Sequence, residues 1–143
     1  LLNVVVNDAS LEKNKRGSIT GEIHWEIENA CFPDNQWNDF IVVVLAWWNK
    51  AAALLRSSSV GTSAEFNFMD GPYYIRGTKK DEANVTLSFI RRTLDGEENL
   101  LVHDTDMLEL KRSIEEASKQ ILKAVEDRSW KSDDIIELKR SLK

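Results

Sequence analysis

From Ser18 to Glu28 apolar and polar residues alternate almost without a break: Ile19, Ile23, Trp25 and Ile27 fall on one side, Thr20, Glu22, His24, Glu26 and Glu28 on the other. Successive side chains of a strand point to opposite faces, so this segment predicts a half-buried strand whose outward face carries three carboxylates. The stretch Trp37 to Trp48, WNDFIVVVLAWW, is apolar at both phases of that period: Ile41, Val43, Leu45 and Trp47 against Phe40, Val42, Val44, Ala46 and Trp48. It predicts a strand covered on two sides, the spine of the fold, with Asn49 to Arg56, rich in Ala and Leu, following as a short helix.

Shorter strands frame these two. Val4, Val5 and Val6 predict a strand over residues 2–7, followed by a polar, turn-like DASLEKNKRG; residues 30–36, with Pro33-Asp34-Asn35, read as a loop. Alternation resumes over residues 64–69, 73–78, 84–92 and 99–103, punctuated by Asp70-Gly71-Pro72, Asp81-Glu82 and Leu94 to Glu98. Such short connections join antiparallel strands. The period then changes. Asp106 with Glu109 three residues on starts a helix in which Met107, Leu110, Ile114, Ala117, Ile121 and Ala124 form one stripe, ending near Asp127. Ser132-Asp133-Asp134 opens a last helix with Ile135, Leu138 and Leu142 on one side. The expected fold is α+β: a mainly antiparallel sheet of six to seven strands, then two C-terminal helices packed on it. One domain is expected over residues 1–143, sheet-rich over 1–104 and helical over 105–143.

A length of 143 residues with 42% apolar content suffices for one real core. The clearly apolar run from Phe40 to Trp48 is far shorter than the roughly 20 residues a membrane-spanning helix needs, so no membrane segment is expected. Cys31 is the single cysteine, which excludes an internal disulfide and leans toward a reducing compartment; a cytoplasmic location is the expectation. The net charge of -5 repels phosphate backbones and favours a basic protein over direct nucleic-acid contact, although ordinary solubility accounts for an acidic balance equally well.

Candidate chemistry is sparse. His24, Glu26 and Glu28 share one strand face, but residues two apart lie about 7 Å from each other, too far for all three to meet one ion without a bend, so no metal site is expected there. Cys31 lacks a nucleophile signature and reads as an incidental thiol. Asp34, Asp39 and Asp70 adjoin Trp37, Phe40 and Tyr73, which describes an acid-rimmed cleft or, for Asp34 and Asp70, ordinary turn positions. The glycines form no phosphate-binding loop, and no cofactor is expected.

The run GEIHWEIENACFPDNQWNDFIVVVLAWW over residues 21–48, with FNFMDGPY over 66–73, resembles small bacterial immunity proteins that accompany polymorphic or contact-dependent growth inhibition toxins. The resemblance implies a small, acidic, cytoplasmic protein without enzymatic activity, which inhibits a cognate toxin domain, often a basic nuclease, by occluding its active site or a neighbouring surface. On the residues themselves, the partner-binding surface is expected at Glu22, Glu26, Glu28, Asp34, Trp37 and Asp39, the acids pairing with cations and Trp37 packing as an aromatic anchor. The rival expectation is a small-ligand-binding or enzymatic α+β domain with its cleft between the sheet and the helix from Met107 to Asp127, holding His103 or Asp39. A homodimer joined through an edge strand or the final helix is a third arrangement.

Overall fold

The computed structural model describes residues 1–143. The alternating segment folds as expected: β2 (Ile19–Ile27) turns Ile19, Gly21, Ile23, Trp25 and Ile27 inward. It pairs antiparallel with β1 (Leu2–Lys13) along one edge. Along the other edge it pairs with β3 (Ala30–Phe32) and then with β4 (Asn38–Asp39). The strand β1 runs well past residue 7, through a bulge between Asn7 and Glu12, into the polar segment expected to turn. Long-range contacts hold it there: Gln120 Nε2 donates to Asp8 Oδ1 at 2.6 Å, an Arg128 guanidinium nitrogen donates to the Asp8 carbonyl at 2.8 Å, and Leu11 is buried.

The second sheet is a four-stranded meander in chain order: β5 (Ser63–Asn67), β6 (Tyr73–Lys79), β7 (Asn84–Thr93) and β8 (Gly96–Asp106). The fold class is α+β and antiparallel, with the C-terminal helices after the strands, but eight strands divide into two sheets of four rather than forming one.

The expected central strand is a helix. α1 (Ile41–Ser57) joins the apolar run and the Ala/Leu-rich segment into one element of 17 residues. It packs against β2 of the first sheet, β5 and β6 of the second, and the two later helices. Its buried positions, from Ile41 and Val42 through Trp48 and Asn49 to Leu55, cover more than half of its circumference. A helix apolar on so many sides satisfies the strand period as well as its own, so periodicity does not tell the two apart; the run from Ile41 to Ser57, free of Gly and Pro, lets the helix continue unbroken once its neighbours close on it. Asp39, just ahead of that run, is the residual start signal.

Thirty-one buried residues form one apolar cluster that reaches both sheets and all three helices. At its centre Trp25 of β2 meets Trp48 of α1, Phe66 of β5 and Phe89 of β7 edge to face at 5.4, 5.5 and 6.2 Å. Polar ties fix α1 at two points. Asn49 Nδ2 donates to Ser118 Oγ (2.9 Å), and the nearly inaccessible Lys79 Nζ donates to the Arg56 and Ser58 carbonyls (3.1 and 2.8 Å) at the helix C-terminus.

α2 (Met107–Asp127) begins where the capping pattern predicts, with Asp106 Oδ1 accepting from Leu108 N and Glu109 N. Its apolar stripe enters the core while Glu109 Oε1 accepts from Leu2 N and Ser113 Oγ donates to the Leu2 carbonyl, so α2 covers the free edge of β1. α3 (Asp133–Ser141), capped by Ser132, closes the remaining side of α1. No helix is long and apolar enough to cross a membrane.

Candidate functional site on the outer face of the first sheet

Because β2 turns its odd-numbered residues into the core, Glu22, His24 and Glu26 project from the opposite face. Their cross-strand neighbours on β1 are Asn7, Val5 and Asn3, and Cys31 of β3 stands directly opposite Glu26. The segment after β3 folds over part of this face. With Asn35 and Gln36 it encloses a groove of about 180 Å³ that is floored by Val5, Asn7, Glu22 and His24.

His24 is 7% exposed, and its Nε2 is buried without a hydrogen-bond partner. Burial pushes the imidazole below its ordinary value of 6.5, against the pull of the Glu26, Glu22 and Asp34 charges in the other direction. Desolvation wins, so the ring is neutral at pH 7 in an electronegative surrounding.

The charges of this face are uncompensated. Asn7 Nδ2 donates to Glu22 Oε1 at 3.3 Å, and neither Glu22, Glu26 nor Asp34 pairs with a lysine or arginine. The outer face of the second sheet contrasts with it. There Arg76 pairs with Glu97 (3.0 Å), Arg92 with Glu65 (3.7 Å) and Lys80 with Asp104 (2.7 Å), while Arg91 pairs with Glu98 (3.0 Å) at the end of the opposite face. The protein matches the acids of its second sheet with its own cations and leaves Glu22, Glu26 and Asp34 beside the first without one.

The six residues expected to bind a partner divide into two groups. Glu22 and Glu26 lie on the outer face, Asp34 in the loop that borders it, and Glu28 at its end in the exposed β2–β3 turn, where φ is 56°. Asp39 is excluded from any partner surface because its side chain is wholly buried. Its Oδ1 accepts from Phe40 N (2.7 Å) and Met69 N (3.2 Å), and its Oδ2 from Trp37 Nε1 (3.0 Å) and Asp70 N (3.2 Å). That carboxylate knots the start of α1 to the β5–β6 turn.

Trp37 belongs to the same knot and is no free anchor. Its ring packs edge to face on Tyr73 (5.5 Å) and Phe68 (6.2 Å), and Gly71 lies against it so closely that a Cβ there would stand 2.8 Å from Trp37 Cη2. The rival cleft between sheet and α2 is filled: Leu110, Ile114, Ala117 and Ile121 are buried in that seam beside Leu2.

Sequence reasoning missed Cys31 as a member of this face. Reading residues 30–36 as a loop hid the hairpin that sets residue 31 across from residue 26, although Glu28-Asn29 between two apolar positions is a legible tight turn. One His24 ring nitrogen, a Glu26 carboxylate oxygen and Cys31 Sγ lie within 4.8 Å of one another. Glu28, expected beside them, leaves the face at the turn.

No family model matches the chain, and no curated protein or solved structure is significantly similar to it.

Proposed function

We propose that this protein is a non-enzymatic inhibitor, an immunity protein that binds and occludes a basic toxin domain through the outer face of its first sheet. The observation that carries the reading is the segregation of charge: Glu22, Glu26 and Asp34 stand without cations on one face, while the acids of the second sheet are matched by arginines and lysines. Unmatched carboxylates on a rigid strand offer Lys and Arg side chains the charge that a nucleic-acid backbone offers, so a domain whose active site attracts phosphates is drawn to this face and blocked by it. Rigidity matters as much as charge. β2 is held between β1 and β3–β4, so its carboxylates are presented with little ordering left to do on binding.

The test uses the toxic C-terminal domain of a large secreted protein encoded beside this chain's gene, produced with the intact protein. The protein is expected to abolish toxicity and to associate fast at low salt. Glu22→Lys combined with Asp34→Lys, both surface changes, is expected to slow association by roughly tenfold or more while leaving the thermal midpoint in place. Undiminished association of the charge-reversed protein would remove this face from the reading, and catalytic turnover of a small compound by the purified protein would remove the reading itself.

A further inference from the structure

We infer that His24, Glu26 and Cys31 form a binding site for a divalent transition metal of the zinc class. The donors are an imidazole, a carboxylate and a thiol, the set from which three-protein-ligand zinc sites with one open position are built. Two strands bring them together. His24 and Glu26 are successive outward residues of β2, and the β2–β3 hairpin sets Cys31 opposite Glu26, which supplies the convergence that three residues of one straight strand lack.

The separations fit. Tetrahedral ligands at about 2.0–2.3 Å from a zinc ion stand roughly 3.3–3.8 Å apart. The three donor atoms already lie within 4.8 Å of one another, and Glu26 and Cys31 are only half-buried, so their side-chain torsions are free to close the remaining distance.

The second observation is independent of the cluster. His24 is more than nine-tenths buried, yet its Nε2 has no hydrogen-bond partner, and an orphaned polar nitrogen in that position is destabilising unless something satisfies it. Coordination resolves this. Ligation through Nε2 gives that nitrogen the partner it lacks, and Glu26 and the thiolate together neutralise the charge of a divalent ion, the thiol proton passing to solvent. The fourth position takes water. The site does not depend on any partner, and it assigns Glu26 to the metal while Glu22 and Asp34 remain the charges offered outward.

Cobalt(II) is the probe, titrated into the intact, reduced, metal-stripped protein and then displaced by zinc. One equivalent is expected to give ligand-field bands of tetrahedral strength together with a thiolate-to-cobalt charge-transfer band in the near ultraviolet. Cys31→Ser is expected to abolish the charge-transfer band, and Glu26→Gln to weaken cobalt binding by more than the roughly 10–100-fold typical of changes in outer-sphere partners. Circular dichroism confirms that both variants fold, since neither side chain is in the core. Zinc is further expected to slow alkylation of Cys31. Absence of the thiolate band, or binding indifferent to Cys31→Ser and Glu26→Gln, overturns the assignment, and either result leaves the charge-reversal test of partner binding untouched.

Discussion

Replacing Asp39 by Asn tests whether this residue serves the fold rather than a partner. The change keeps shape and size but turns one carboxylate oxygen into an NH2 group. Each oxygen now accepts two hydrogen bonds, Oδ1 from Phe40 N and Met69 N and Oδ2 from Trp37 Nε1 and Asp70 N, so whichever way the amide turns, two donors face a donor. Hydrogen bonds to a charged acceptor contribute about 1.5–3 kcal/mol each, and Trp37, half-buried, recovers part of its loss from water; the net cost is about 3 kcal/mol. With a urea slope of about 2 kcal/mol/M, the midpoint falls by roughly 1.5 M. Urea unfolding followed by tryptophan fluorescence measures this directly. A second readout comes from Asp70, whose carboxyl is held above its ordinary value first by burial and then by the Asp39 charge, so removing that charge lowers its titration midpoint in an NMR pH series. An Asp39→Asn variant within about 0.5 kcal/mol of the parent refutes the knot, since surface substitutions fall in that range.

Packing and charge give two more expectations. Gly71 has φ of +72° and abuts Trp37, whereas Gly61 has φ of +94° with open space around it; Gly71→Ala is expected to cost about 2–3 kcal/mol and Gly61→Ala about 1, by urea unfolding, and equal costs would dismiss the Trp37 contact. Burial, then the hydrogen bond to Glu97, pushes the Tyr74 phenol up to about 12, while hydrogen bonds from Arg76 and then Tyr74 hold Glu97 below its ordinary value. The raised phenol contributes stability that is present below its ordinary 10.0 and disappears as pH rises toward about 12; the lowered carboxyl contributes stability present above its ordinary 4.5 and lost as pH falls below it. Thermal midpoints across pH are expected to decline at both ends, and Tyr74→Phe is expected to remove the alkaline decline; ionisation of Tyr74 at its ordinary value in an ultraviolet titration would contradict this.

Elements whose signal is local were legible. β2 follows from its alternation, β5 to β8 from alternation broken by turn residues, and α2 and α3 from their caps at Asp106 and Ser132. The second half of β1 was not, because its polar residues extend only by virtue of Gln120 and Arg128, more than a hundred positions away. The candidate site was half legible for the same reason: Glu22 and Glu26 are set outward by the period of their own strand, whereas Cys31 joins His24 and Glu26 through a hairpin and Asp39 is withdrawn by donors from the β5–β6 turn.

The sequence by itself determined the class of this protein, the direction its β2 carboxylates face and the boundaries of its two C-terminal helices, since each depends on the period and caps of a single segment. Only the tertiary structure decided that WNDFIVVVLAWW enters a helix rather than a strand. A run apolar at every phase is compatible with both, and what selects the helix is its surroundings, two sheets and two helices closing on α1 from several sides. The same closure buried Asp39 and Trp37 as ties within the fold and left Glu22, Glu26 and Asp34 facing outward without cations of their own.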